Sequence, residues 1–303
     1  MLSDVFYWLM NISILGGADG LIVLALRKIR KLPRFAVYML WLIPLIRFWM
    51  PFGLANKYSL LNLISRFTTK TVVIWQEFPA LTMSNSIMGA NSYFPIVYKT
   101  DLLAGIFRVA SVIWLIVVIA FLLAALLLYI FTKSEMKNVR HVKDNIYQSD
   151  KVSTPAVYGV IHPKVILPPG LGHDDLVYIM MHEKVHIRRR DNLWRVIAVI
   201  TACMHWFNPL AWVFLRNFFA DMELACDAKV INRLKGDQVK KYALAIIAAS
   251  TGKVFYASAF GGAKTKVRIE NILSYKRLTI LSTLCFSALV AAIAFVLITN
   301  ARA

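Results

Sequence analysis

The chain has 303 residues, of which 59% are hydrophobic and only 17% charged, and its mean hydropathy is +0.61. Soluble domains hold about 45–50% apolar and about 25% charged residues, so the composition excludes an ordinary soluble globular protein and points to an integral membrane protein. The 35 Lys and Arg against 16 Asp and Glu leave a net charge of +19; these basic residues gather beside apolar stretches, as positive-inside flanks do, and no helix-turn-helix or RNA-binding signature accompanies them, which argues against direct nucleic-acid binding.

In chain order, the first stretch apolar and long enough to cross a bilayer, which takes roughly 20 residues, is 5–26, interrupted by Gly16-Gly17-Ala18-Asp19-Gly20. Asp4 stands where a signal peptide would carry positive charge, and no small-residue cleavage site follows, so a retained first span is expected. The segment 27–34 holds five basic residues in eight and is expected in the cytoplasm. A second apolar stretch, 35–54, contains Pro44 and Arg47. Asp19 and Arg47 are polar residues at membrane depth, a placement that marks either a functional residue or a bundle-facing side chain.

Residues 55–105 carry few charges and are expected outside the cell, as a small lid or a ligand-sensing element. The third apolar stretch, 106–131, is the cleanest, and the fourth is 278–298. The long segment 132–277 is rich in Lys and Arg and is expected inside. The fold expected is a mainly α membrane protein: transmembrane helices 1 and 2 in 1–54, an extracellular loop at 55–105, helix 3 at 106–131, a cytoplasmic domain at 132–277 and helix 4 at 278–299. Both termini then face outward. Cys203, Cys226 and Cys285 form no C-x-x-C pair and no disulfide framework.

Within the cytoplasmic segment, Val157-Tyr158-Gly159-Val160-Ile161 and Lys164-Val165-Ile166-Leu167 flank His162-Pro163 and predict a hairpin. A helix is expected from about Asp174 to Arg190, acidic at its start and basic at its end as the helix dipole favours. Further helices are expected over 192–206, 209–234 and 239–250. The first of these helices carries His182-Glu183-Lys184-Val185-His186. Residues i and i+4 of a helix lie about 40° apart on one face, so the two imidazoles can grip one Zn²⁺ while Glu183 takes a proton from water bound there. A catalytic zinc usually has three protein ligands. The best third candidate is Glu223, with Asp227 four residues on and on the same face, placed to accept the spare N–H of a liganding histidine. Asp221, Asp227 and His205 are rivals, and Cys226 would point about 60° from the Glu223–Asp227 midline.

These residues, with Ile187-Arg188-Arg189-Arg190-Asp191-Asn192-Leu193-Trp194, His205-Trp206-Phe207-Asn208-Pro209, Glu223-Leu224-Ala225-Cys226-Asp227 and the upstream Pro155-Ala156-Val157-Tyr158-Gly159, resemble the bacterial BlaR/MecR-type membrane metalloproteases, the β-lactam-responsive signal transducers. The resemblance covers essentially the whole chain. It implies a gluzincin fold between spans 3 and 4, with His182, His186 and Glu223 holding Zn²⁺ and Glu183 as general base. It implies a protease of the bacterial plasma membrane that cuts itself and causes cleavage of a cytoplasmic winged-helix repressor. Self-cleavage would fall in the linker 264–275, with Ser274-Tyr275 as the candidate bond; the same linker also reads as a basic segment bound to anionic lipid. Typical members carry a penicillin-binding sensor after the last span, whereas this sequence ends at Ala303, so sensing is expected to use the 55–105 loop, the membrane, a second copy or a separate sensor partner. Oxyanion donors are sought among His162, Tyr178 and His205, and a substrate-binding strand edge in the 157–167 hairpin. The competing expectations are a quality-control or peptide-processing zinc protease and a signalling scaffold with a structural zinc site.

Overall fold

The computed structural model describes residues 1–29, 32–50, 55–56, 59, 101–135, 139–152, 154–250, 264–275, 277 and 279–301. Nearly all of the 55–105 loop, together with Arg30 and Lys31 of the basic link, lies outside the described residues. The chain divides into two compact units: Met1–Ala120 with Cys203–Ala211 and Ile280–Ala303, and Phe121–Ala202 with Trp212–Thr279.

The first unit is apolar and helical. Helix α1 (Leu2–Arg27) is followed by the short helices α2 (Arg34–Leu40) and α3 (Leu42–Arg47), then by strand β1 (Ala55–Asn56) and the first part of α4 (Asp101–Glu135). Among the described residues, α1, α4 and α10 (Ile280–Ile298) are long and apolar enough to cross a membrane. The second apolar stretch does not form one continuous helix: it breaks at Trp41, between α2 and α3. Pro44 supplies the reason, because its ring clashes with the carbonyl four residues back, that of Leu40, and it has no N–H to give. Along α4 and α10 many apolar side chains face outward, among them Ile106, Ile116, Leu123, Ile280 and Leu284, as expected of surfaces solvated by hydrocarbon rather than water.

The first unit is tied by polar contacts to backbone. Arg47 donates to the Ile298 carbonyl at 3.1 Å, Trp114 Nε1 to the Met204 carbonyl at 2.9 Å, and β1 pairs in parallel with β6 (Asn300–Ala301). A Cβ on Gly16 would sit 3.0 Å from the Phe48 ring, so glycine lets α1 approach the end of α3. Asn208 donates to the Ser13 carbonyl and hydroxyl at 3.1 and 2.9 Å, while its own carbonyl oxygen accepts from Leu210 N. With Pro209 at the first helical position, Asn208 therefore caps the helix Pro209–Ile231.

The second unit opens with the strands β2 (Arg140–Lys143), β3 (Ile146–Gln148), β4 (Ala156–Tyr158) and β5 (Lys164–Leu167). They form one mixed sheet in the order β2-β3-β5-β4, β4 and β5 being the expected hairpin and β4 an outer strand. The turn between them needs Gly159: its φ is +92°, and a Cβ there would lie 2.7 Å from the His162 carbonyl oxygen. The helices α5 (His173–Arg189), α6 (Asp191–Met204), α7 (Pro209–Ile231), α8 (Asp237–Ser250) and α9 (Thr265–Leu273) follow. Helix α5 is central because two of its faces are apolar. Ile179 packs on Val165 and Leu167 of the sheet. Val185 packs with Cys226, Val230, Tyr242, Ile246 and Ile272 from the other helices. His182, Glu183 and His186 are buried on the same helix.

Candidate metal centre

The helix that carries the two histidines is terminated in a way that shapes the site. Asp174 and Asp175 stand in its first turn and His186, Arg188 and Arg189 in its last, matching the dipole. Arg190 adopts the left-handed conformation at φ 55°, and its N–H closes on the carbonyls of His186 and Ile187. This stop turns the chain at once into α6 and sets Asp191 beneath His186. Asp191 Oδ2 then accepts from His186 Nδ1 at 2.5 Å and is fully buried. Arg189 donates to the same carboxylate through Nε and Nη2 and also to the Met222 carbonyl of α7. Asn192, next in α6, donates to the carbonyls of Val157 and Gly159, pinning the β4 end of the sheet to the end of α5.

His182 is oriented by a second set. Tyr242 of α8 donates to Asp227 Oδ1 at 2.6 Å. The Tyr242 oxygen and Asp227 Oδ1 lie 2.8 and 3.2 Å from His182 Nδ1, so this nitrogen carries the proton and donates to them. With Nδ1 of each ring donating, the two Nε2 atoms face each other at 3.1 Å. Glu223 Oε2 lies 3.4 Å from His182 Nε2 and 3.6 Å from His186 Nε2. Acceptors this close call for a cation, and the Arg268 guanidinium faces two of the three, 3.3 Å from His182 Nε2 and 3.6 Å from Glu223 Oε2. A tetrahedral metal with bonds of about 2.0–2.1 Å has donors about 3.3–3.4 Å apart, so the donor set fits a zinc-type ion both in chemistry and in spacing.

The structure thus brings His182, His186, Glu223 and Asp227 together. Glu183 is buried on the same helix. Cys226 also faces the histidines: its thiol donates to the His182 carbonyl at 3.4 Å, and its sulfur belongs to a buried cluster with the two imidazoles whose donor atoms lie within 4.8 Å of one another. An ideal helix sets Cys226 about 60° off the Glu223–Asp227 midline, yet packing brings its sulfur to the histidines. Asp221 is buried on α7 but stands two residues, or about 200° of helix, from Glu223. His205 belongs to the first unit, where its Nε2 meets the Phe48 carbonyl at 3.2 Å and its ring packs 4.6 Å from the Phe48 ring. His162 is exposed in the hairpin turn, and Tyr178 packs in the helical core, its ring 6.5 Å from that of Tyr242. Ser274 and Tyr275 close the C-terminal end of α9: Ser274 N and Oγ both donate to the Glu270 carbonyl, and Tyr275 packs on the core.

Three arginines complete the site. Arg195 of α6 donates to Glu223 Oε1 at 2.6 Å. Arg268 of α9 donates through Nε and Nη2 to the two Asp227 oxygens at 2.9 and 2.7 Å, and its Nη2 also reaches His182 Nε2 at 3.3 Å. The third is Arg189, described above. Burial pushes the Asp227, Glu223 and Asp191 carboxyls up, but facing cations win. Arg268 and His182 hold Asp227 below the usual carboxylate range, His186, His182 and Arg268 do so for Glu223, and His186 and Arg189 for Asp191. Burial likewise opposes charge on the two imidazoles, yet both end well above the usual histidine value. Charge on the Cys226 sulfur raises both, joined by Tyr242 and Asp227 at His182 and by Glu223 and Asp191 at His186. Tyr242, Arg268, Asp191 and Arg195 were not singled out from sequence. The signal open to it was Asp191, directly after the basic end of α5.

A family model described as "BlaR1 peptidase M56" matches residues 7–275. The chain belongs to this family. Among curated relatives, the chain is 28% identical over 146 residues to the regulatory protein BlaR1 of Bacillus licheniformis, an alignment covering 45% of this chain and 24% of that protein. To the BlaR1 of Staphylococcus aureus it is 31% identical over 104 residues, 32% of this chain and 18% of the other. To the methicillin resistance mecR1 protein of Staphylococcus aureus strain Mu50 it is 25% identical over 109 residues, 35% and 19% respectively. The chain therefore spans about a quarter or less of the length of the curated relatives it matches. Membership of the M56 family and the apolar helices together make this a membrane protein of a peptidase family.

Proposed function

We propose that this chain is a zinc metalloendopeptidase of the bacterial plasma membrane, the proteolytic part of a BlaR/MecR-type antibiotic-response system. In this reading it cleaves itself, a cytoplasmic winged-helix repressor, or both, and so induces resistance genes. The observation that carries the reading is the triangle of His182 Nε2, His186 Nε2 and Glu223 Oε2 inside a chain of the M56 family. The relatives' names, regulatory and methicillin-resistance proteins, support the signalling role. Four spans are proposed, the second being the broken α2–α3 stretch, with a gluzincin-type domain at 132–277 inside and both termini outside.

His182, His186 and Glu223 would hold the metal, which when bound supplies Lewis acidity and an acidified water. Asp191 and the Tyr242–Asp227 pair keep the protons on the Nδ1 atoms, so both Nε2 lone pairs stay available. Glu183 takes the proton of the attacking water and passes it to the amine nitrogen as the peptide C–N bond breaks. β4, an outer strand of the sheet, is the edge to which an extended substrate adds. Ser274-Tyr275 is the candidate self-cleavage bond, and the end of α9 must unwind before it can be presented, because its backbone is hydrogen-bonded and Tyr275 is packed.

The test is incubation of a purified winged-helix repressor with the full chain in detergent, as wild type and as Glu183→Ala, alongside metal analysis. One zinc per chain and cleavage by the wild type only are expected. Cleavage by both forms would refute the peptidase reading, and zinc binding with no cleavage by either would favour a scaffold with a structural metal. Cleavage of unrelated denatured membrane proteins, with the repressor spared, would favour a quality-control protease.

A further inference from the structure

The hydrolysis proposed above needs a donor to the scissile carbonyl oxygen as it becomes an oxyanion. None of the three candidates raised by sequence lies against the ligand atoms: His205 is held in the other unit, His162 is exposed in a turn, and Tyr178 is packed in the core. Arg268 does lie there. A guanidinium has five N–H donors in a fixed fork. On Arg268, Nε and one Nη2 hydrogen serve Asp227, and the other Nη2 hydrogen faces His182 Nε2 at 3.3 Å. Nη1 is turned toward Glu223 Oε2 but stays at 3.6 Å, beyond hydrogen-bond distance. Among the described residues Nη1 therefore makes an ion pair with Glu223 Oε2 but no hydrogen bond, and it stands beside a ligand atom with its N–H donors available. Asp227 alone would use only one edge of the fork; the structure aims the other edge into the site.

We propose that Arg268 is a catalytic residue of this peptidase, donating from Nη1 to the carbonyl oxygen of the scissile bond. This rests on the peptidase reading. Water adds to the carbonyl carbon, the C=O pair moves onto oxygen, and Arg268 balances the charge formed there. The C–N bond then breaks, the oxygen regains its double bond, and the water proton held by Glu183 passes to the departing nitrogen, leaving a carboxylic acid and an amine. The guanidinium stays protonated throughout. Because Arg268 rides on α9, anchored by Ile269 and Ile272 in the helical core, the site is complete only while α9 is docked. In sequence only residues 274–279 separate α9 from the apolar helix α10, so a displacement of that helix has a short path to the catalytic donor.

The experiment uses the full chain in nanodiscs, with quenched fluorescent casein as substrate, a phosphinic pseudopeptide as the anionic tetrahedral probe, and metal analysis. Arg268→Gln should keep one metal per chain, keep KM within about threefold and lose on the order of 10²–10³-fold in kcat, the range for a lost oxyanion donor. Phosphinate affinity should fall in step with kcat. A kcat within threefold of wild type, or a lowered kcat with unchanged phosphinate affinity, overturns the proposal, as does loss of the metal in parallel with activity. If Arg268→Gln does not fold, Arg268→Lys, which keeps a cation against Asp227 without the fork, carries the same test by the same criteria. The peptidase reading fails separately: a wild type without metal, or a fully active Glu183→Gln, sinks that reading before Arg268 is judged.

Discussion

The third metal ligand is the part of the site on which two side chains of one helix compete, and exchanging each in turn separates them. Glu223 Oε2 stands 3.4 and 3.6 Å from the two Nε2 atoms, which are 3.1 Å apart. These are the edges expected for a tetrahedral ion with bonds of about 2.0–2.1 Å. Cys226 is near as well, but its thiol is spent on the His182 carbonyl. If Glu223 is the ligand, Glu223→Gln should weaken zinc severely and Cys226→Ser hardly at all. Structural zinc binding is worth about 10–16 kcal/mol; shared over four ligands this is about 2.5–4 kcal/mol each, or about 10²–10³ in affinity. The assay is competition with a chromogenic chelator, paired with the absorption spectrum of the cobalt-substituted protein. Wild-type cobalt protein should lack a thiolate-to-cobalt charge-transfer band. A strong band abolished by Cys226→Ser, with affinity lost in that variant and kept in Glu223→Gln, would refute the assignment and make the site a two-histidine, one-thiolate centre.

Further predictions follow from the groups around the ligands. Asp191→Asn should lower metal affinity about 10- to 100-fold, the usual cost of losing an outer carboxylate, measured by the same competition; unchanged affinity would mean that the His186–Asp191 contact does not tune the site. Metal binding should release protons, because the imidazoles carry raised pKa values when no metal is bound. Each proton released makes apparent affinity rise about tenfold per pH unit, and calorimetry in buffers of different ionisation enthalpy would count them, zero being the contrary result. Asp191, Glu223 and Asp227 have folded pKa values below their unfolded ones of about 4. The stability they contribute is therefore present above about pH 4 and lost as pH falls through the lowered values, so Asp191→Asn should flatten the acid limb of a stability–pH curve. Gly159→Ala should cost about 1–3 kcal/mol, from a φ of +92° and a Cβ only 2.7 Å from the His162 carbonyl; a thermal midpoint equal to wild type would show that the turn relaxes freely.

Local periodicity and spacing made α5 to α8 legible to within a few residues, because caps and breakers stand at their ends: Asp174 and Asp175, the Asn208-Pro209 pair and Gly236; α9 reads as a linker instead. The β4–β5 hairpin was legible for the same reason, since Gly159 and Pro163 punctuate it. The second apolar stretch was not, because hydropathy averages over Pro44 whereas the backbone cannot. At the site, the i, i+4 pairs His182/His186 and Glu223/Asp227 could be placed on common helix faces from spacing alone. Their partners could not. Tyr242 and Arg268 lie 60 and 86 residues from His182, and no local rule links a residue to a partner that tertiary packing supplies. Arg268 sits in a segment whose basic composition reads equally well as a lipid-facing linker, so only the docking of α9 reveals it.

Charge balance gives the arrangement its logic. Asp191, Glu223 and Asp227 bring negative charge to the histidines, and Arg189, Arg195 and Arg268 set positive charge against it. Burial disfavours charge on the imidazoles, yet the Cys226 sulfur raises both pKa values, joined by Tyr242 and Asp227 at His182 and by Glu223 and Asp191 at His186. A divalent ion held there would displace the imidazole protons and leave the site more positive, favouring a hydroxide or a developing oxyanion. Neutralising one arginine should therefore strengthen metal binding and weaken oxyanion binding, whereas neutralising one carboxylate should do the reverse. The opposite signs separate this field effect from simple loss of packing, which would weaken both.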